Sequence, residues 1–313
     1  MKFDNRIVFV LVAAIGIYAI FLFLSDFSII SEKISNFKIN YLPLILLLVS
    51  VSWIPLIIKW HFLLKNSRIN VPLTKSIAIF FSGSAFEVTP GQIGILIKSQ
   101  LLKTSSNISR TKTVPIVIVE KIYDLIGAIL ASVIGIIILG MEFYLIIIAI
   151  SVLATIFFFM YHRRSSELVF NRITKLKFFS KYIDNMSEFY EVVKKSTNVK
   201  AATICILLAL TYWFIISAAA YYTLIAFDVN LLDYLKVLAI YTTSTLLGAI
   251  SFIPGGIGIT EGSIAGLFTL NGMDISTALI LSVMIRVLTL WYTVCVGFIA
   301  LKFTGGLSFK QNS

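Results

Sequence analysis

Three sets of ionisable residues sit inside apolar stretches, where charge has chemical consequences. Arg286 interrupts the run from Ile275 to Leu301, with Asp274 before it and Lys302 after it. Its place in the run puts it near the middle of a membrane-spanning helix. An arginine at that depth needs a polar cavity, a carboxylate partner or an anionic ligand such as phosphate, which its planar fork suits. A structural ion pair is the plainer alternative. Glu120 and Asp124 are spaced i, i+4, so a helix stacks them on one face. Two such carboxylates need a cation between or opposite them, and Lys121, Lys98 and Arg286 are the candidates. The pair would suit acid–base work or a salt-bridge network holding a bundle, but no nucleophile or metal-ligand spacing accompanies it.

Glu261 closes the element Pro254-Gly255-Gly256-Ile-Gly258-Ile-Thr-Glu261. A helix restarting near Gly258 would point its free N–H groups and positive dipole end into the membrane, an anion site that Glu261 would cap or turn into a cation site. Gly258, Gly262 and Gly266 form a small-xxx-small repeat, expected to serve close helix packing. Glu87 stands ahead of a second breaker, Thr89-Pro90-Gly91, and would act similarly or lie near the membrane mouth.

The elements that must position these residues follow from composition. The 313 residues are 58% hydrophobic and 13% charged, about half the roughly 25% of a soluble domain. That leaves too few polar side chains to clothe a soluble enzyme. With 25 Phe, 13 Tyr and 4 Trp, a disordered chain is excluded as well. The net charge of +11 is read as basic cytoplasmic loops meeting anionic lipid, not as nucleic-acid binding. Cys205 and Cys295 lie in apolar runs, and His61 and His162 are far apart. Hence we expect no disulfide framework, no metal and no cofactor.

Six uncharged or nearly uncharged runs are long enough to cross a bilayer at about 20 residues each. They are 7–24, 41–58, 114–139, 143–161, 201–227 and 275–301. Two more, 76–97 and 237–273, are broken at Pro90-Gly91 and at Pro254-Gly255-Gly256, where proline lacks an N–H and glycine disfavours helix. The positive-inside rule places the basic N-terminus and the loops 65–75, 98–112 and 162–200 in the cytoplasm. Six crossings then leave both termini inside, provided each broken segment enters and leaves on one side. The expected fold is an all-α polytopic membrane protein, a single domain over 1–313. It has about six spans plus two re-entrant helical hairpins dipping in from opposite faces, N-in and C-in. Within the 162–200 linker, nine basic and four acidic residues surround one apolar helix face of Leu176, Phe179, Ile183, Met186, Tyr190 and Val193. That face suits an interfacial helix or a cytoplasmic helical cap.

Taken in order, Thr89-Pro-Gly-Gln-Ile-Gly-Ile with Lys98, Val119-Glu-Lys-Ile-Tyr-Asp124, Phe252-Ile-Pro-Gly-Gly-Ile-Gly-Ile-Thr-Glu261 and Arg286 form a set. The chain resembles the flippase-like membrane family typified by the transmembrane region of lysylphosphatidylglycerol synthases. Lys59-Trp60 fits that family's basic–Trp pair. Gln92 and Ile95 stand where the family usually carries arginine and glutamate in its first breaker. The resemblance covers roughly 40–300 and does not extend to a soluble synthase domain. It implies a multi-pass plasma-membrane protein of bacterial or archaeal type that handles lipids.

The function expected is a flippase, not an enzyme, moving an anionic or phosphate-linked lipid, polyprenyl- or aminoacyl-modified lipids included. Lys98 and Arg286 would hold the phosphate, Glu120, Asp124 and Glu261 would balance them, and the breaks at Pro90, Gly91, Pro254, Gly255, Gly256 and Gly258 would hinge. The alternatives are a membrane transferase and an accessory subunit in lipid-linked glycan assembly. Expected partners are membrane lipids, with a homo-oligomer or a lipid-modifying enzyme as the protein partner, and no nucleic acid.

Overall fold

The computed structural model describes residues 37–89, 94–138, 147, 150–155, 158 and 186–304. The expected first span, most of 143–161, the linker before 186, and Pro90 and Gly91 lie outside the described residues. Among the described residues the secondary structure is helical throughout. After a 3-10 turn at Ile39–Tyr41, α1 runs Leu42–Asn66. Then come α2 (Leu73–Ser84), α3 (Ile97–Ser106), α4 (Arg110–Ile138), α5 (Met186–Ser196) and α6 (Val199–Ala226). They are followed by α7 (Tyr234–Ile250), α8 (Ile259–Leu270), α9 (Ile275–Arg286) and α10 (Tyr292–Phe303). Residues 150–155 are helical as well.

Among the described residues three stretches are long and apolar enough to cross a membrane: Ile39–Asn66, Val199–Ala226 and Ile275–Phe303. Large apolar side chains such as Leu47, Ile54 and Ile58 on α1 and Leu207 on α6 point outward, as a helix bathed in hydrocarbon requires. The starts of α6, α7 and α9 are set by side-chain caps. Asn198, Asp233 and Asp274 accept from the backbone N–H three residues on, at 2.9, 2.9 and 3.0 Å, which satisfies donors that a helix N-terminus leaves open.

α1 and α6 lie side by side and antiparallel. Phe37 meets Phe227 and Tyr41 meets Tyr222 at one end, while Asn66 donates to the Lys195 carbonyl at the other. The Lys38 N–H also donates to the Ala226 carbonyl, and its ammonium pairs with Asp228, both at 2.8 Å. That hydrogen bond from the exposed ammonium holds the Lys38 pKa above the ordinary lysine value. α4 packs on α6 and α7, with Gly127 against Ala209. α5 docks on α4 through buried Val192 and Val193, and the Tyr123 hydroxyl donates to the Ser196 carbonyl at 2.8 Å. The end of the linker is thus seated on protein, as a cap would be.

Both broken segments are helix–break–helix hairpins. In the first, α2 unwinds after Ser84 and the chain re-enters helix at Ile97. Thr89 shapes the break: its hydroxyl accepts from the Gly94 N–H at 2.8 Å and donates to the Phe86 carbonyl at 2.7 Å. In the second, α7 ends at Ile250, and Phe252, Gly255, Gly256 and Gly258 all take positive φ before α8 begins. Three of those four are glycines because only glycine adopts that backbone without strain; Phe252 takes it as well, at φ 54°. The last apolar run does not form one regular helix. Immediately after Arg286 a π-turn, Val287–Trp291, separates α9 from α10.

Three expectations change. α1 continues eight residues past Ile58, because Lys59 is buried inside the bundle rather than exposed at a helix end. The basic stretch expected as a loop from Lys98 is the second arm of the first hairpin, since Lys98 turns inward and is buried. Among the described residues nothing packs on Gly262 and Gly266 of α8: a Cβ at either would meet nothing within 4 Å. The close approaches fall elsewhere. Gly297 on α10 abuts the Ala85 backbone at the end of α2, and Gly248 and Gly256 abut the Thr260 side chain.

A bulky side chain at Gly297 would force α10 away from α2. We expect Gly297→Leu to lower stability by about 1–3 kcal/mol and Gly262→Ala to change it by less than about 0.5 kcal/mol, measured by unfolding of the detergent-solubilised protein.

Candidate functional site

α4 carries the two stacked carboxylates, and each is claimed by a different helix. Glu120 accepts from Lys98 of α3 at 2.5 Å, with both side chains buried. The Lys98 ammonium also lies 4.4 Å from the Trp60 ring centre and 5.2 Å from that of Phe80, within cation–π reach of both. Gly83 leaves room for the Lys98 stem; a Cβ there would meet its Cγ at 2.6 Å. Asp124, one turn further on, takes the ammonium of Lys59 from α1, and Lys121 stands 3.5 Å from its second oxygen. Lys59 is fully buried, while Lys121 and Asp124 keep part of their surface open. The Trp213 indole N–H, from α6, donates to the Asp124 carbonyl at 3.1 Å. Three helices, α1, α3 and α6, therefore converge on one turn of α4.

The second charged centre is built on the break between α7 and α8. The helix restarts at Ile259 with Glu261 at its third position, and one carboxylate oxygen accepts from the Gly258 N–H at 2.7 Å. This is the reciprocal half of a capping box. The other oxygen accepts from Arg286 Nε at 2.9 Å. Arg286 also donates through Nη2 to the Gly255 carbonyl. The helix end expected to be an anion site is thus already furnished with an anion, the protein's own Glu261. Arg286 in turn ties the final span to the break.

The two hairpins meet. Val88, next to Glu87 in the first break, packs beside Gly255 of the second, and Val88, Ile257 and Val294 form a small buried cluster. Beside this contact opens a cavity of about 440 Å³. Its charged lining is Glu87, Lys121, Asp124 and Arg286. Hydroxyl groups come from Thr89, Thr245, Thr260, Thr289, Tyr212 and Tyr241, and apolar surface from residues such as Leu56, Ile216 and Ile250. The Tyr241 hydroxyl donates to Thr289 of the π-turn at 3.3 Å.

Of the residues expected at the site, Asp124, Arg286, Gly255 and Gly256 line the cavity. Lys98, Glu120 and Glu261 stand behind its wall, each in an ion pair. Lys98, expected to hold a phosphate, is occupied by Glu120 instead. Pro254 and Gly258 shape the second break. The structure adds Lys59, Tyr212, Trp213 and Tyr241. The signal for Lys59 was available: the apolar run resumes immediately beyond it, through Leu63 and Leu64. The aromatic residues carried no such mark among the 13 Tyr and 4 Trp of the chain.

A family model described as the lysylphosphatidylglycerol synthase TM region matches residues 10–297. The chain belongs to this family. Among the similar curated proteins, a UPF0104 membrane protein of Pyrococcus horikoshii is 25% identical over 288 residues, 83% of this chain and 85% of the relative. A second UPF0104 membrane protein, from Methanocaldococcus jannaschii, is 24% identical over 219 residues, 67% of this chain and 89% of the relative. This member of the lysylphosphatidylglycerol synthase TM-region family is therefore a multi-pass cell-membrane protein, and its charged centres sit within the matched region.

Removing one partner of a buried ion pair leaves an uncompensated charge and costs about 3–5 kcal/mol, whereas removing both costs less. We expect Lys98→Met and Glu120→Gln each to destabilise by that amount and the double variant to be more stable than either. Chemical unfolding in detergent micelles checks the cycle; additive losses would mean that the two groups do not interact.

Proposed function

We propose that this protein moves an anionic or phosphate-linked lipid between the two leaflets of the cell membrane. The observation that carries the reading is the cavity. It combines a cationic fork, two carboxylates and several hydroxyls with apolar side chains, and residues of both broken hairpins line it. A lipid crossing a bilayer must keep its headgroup solvated by polar groups while its tails stay in hydrocarbon. A cavity lined by both kinds of group suits both halves. Arg286 would take the phosphate bidentately, with Lys121 as a second, more mobile cation. Lys98, Glu120, Lys59 and Glu261 would hold the wall in register without touching the headgroup.

In this reading the chain crosses the membrane six times with both termini in the cytoplasm. The 73–106 hairpin enters from the cytoplasm and the 234–270 hairpin from outside. Broken helices meeting near the midplane are a recurring way to expose helix ends and carbonyls to a transported solute. In this reading the chain acts as a transporter and not as an enzyme.

Reconstitution into phosphatidylcholine vesicles carrying a trace of fluorescent phosphatidylglycerol tests the reading. The wild type should equilibrate the label between leaflets. Arg286→Lys, which keeps the charge and loses the fork, should slow this about tenfold or more, in line with the roughly 1.5–3 kcal/mol of a charge-assisted hydrogen bond. Thr245→Phe, which fills the cavity and leaves every ion pair intact, should slow it too. Equal rates in all three proteins would refute a pathway through this cavity.

A further inference from the structure

Among the described residues, the buried and cavity-lining charges balance. Four cations, Lys59, Lys98, Lys121 and Arg286, face four carboxylates, Glu87, Glu120, Asp124 and Glu261. Three of the carboxylates are held in ion pairs: Glu120 with Lys98, Asp124 with Lys59 and Lys121, Glu261 with Arg286. Glu87 is the exception. Among the described residues no cation lies within ion-pair distance of it, and it opens onto the cavity. Its position is also mechanically special, since the next residue, Val88, touches Gly255, whose carbonyl Arg286 holds.

The groups that face Glu87 come from each neighbouring element: Lys121 and Asp124 of α4, Lys98 of α3, Tyr212 of α6 and Tyr241 of α7. Lys98 and Asp124 are committed elsewhere. With Glu87 ionised the set is neutral, and a phosphodiester entering the cavity would leave one unbalanced negative charge in a low-dielectric interior. Such a charge is expensive there. Taking up one proton at Glu87 removes that excess.

We propose that Glu87 is the proton site that couples headgroup entry to the proton gradient, one proton travelling with one anionic headgroup. The inference rests on the lipid-translocation reading above. The bond formed is O–H on the Glu87 carboxylate. The proton comes from water on one side and returns to water on the other when the lipid leaves, and no bond in the lipid changes. The net cargo, one anion plus one proton, is electrically neutral. A pH difference alone, with no membrane voltage, should therefore drive it.

The test uses the same vesicles with a pH difference of one unit and the voltage clamped by potassium and valinomycin. Electroneutral coupling sustains about a tenfold asymmetry of labelled phosphatidylglycerol per pH unit, with the label gathering in the leaflet facing the more alkaline compartment. A sodium gradient at equal pH should give none. Glu87→Asp should keep the asymmetry and Glu87→Gln should lose it. An even distribution of label under the pH gradient, with lipid still moving, overturns the coupling and leaves translocation standing. So does a sodium response, or a Glu87→Gln protein that holds the full asymmetry. A wild type that moves no lipid overturns both.

Discussion

A charge removed from water must find its opposite, and this protein is organised around that requirement. Asp124 is the hub. It binds Lys59 of α1 and Lys121 of its own helix, and its backbone carbonyl takes the Trp213 indole of α6. One turn earlier Glu120 draws in Lys98 of α3. Apolar packing alone would leave these helices free to slide, because a Leu-lined surface in lipid gains little from any one partner. A buried ion pair has a defined geometry and is destabilising when broken. The pairs therefore set the register of α1, α3 and α4, and the apolar surfaces follow.

The second consequence is the shape of the cavity. Arg286 is anchored at Glu261 and at the Gly255 carbonyl, so the break in the second hairpin is fixed to the final span. Beyond Arg286 the π-turn inserts an extra residue per turn and brings Thr289 and Leu290 to the cavity wall. π-turns of this kind recur at functional sites because they present side chains that a regular α-helix would rotate away. α10 then resumes in a phase that sets Gly297 against Ala85. One irregular turn thus lets the last span serve the cavity on one side and close packing on another.

Much of this was legible in the residues and some was not. The breaks at 89–91 and 254–256 announce themselves because proline and glycine limit backbone geometry locally, whatever the tertiary context. The restart of α8 near Gly258 with Glu261 in its first turn was readable for the same reason. Partners were readable only in part: Lys98 and Lys121 stood among the candidate cations for the Glu120–Asp124 pair and do hold it, whereas Lys59 did not. A lysine looks alike at a helix end and in a core, so α1 was expected to stop at Ile58, and Lys98 was expected in a loop with a hand free for phosphate. The spacing of Gly262 and Gly266 suits close packing, yet spacing does not say which face turns inward, and among the described residues nothing meets theirs. The glycine that does permit a close helix approach, Gly297, has no repeat around it to mark it out.

The ion pairs also have an order in time. Lys59 precedes Asp124 by 65 residues, Lys98 precedes Glu120 by 22, and Glu261 precedes Arg286 by 25. In each case the first partner is synthesised and meets the membrane before the second exists. Lys59 therefore finds its carboxylate only once α4 has been made. α6, whose one charged residue, Lys200, lies at its start, arrives later still. The ion pairs close from the N-terminal side onward, and the last arginine of the chain completes them.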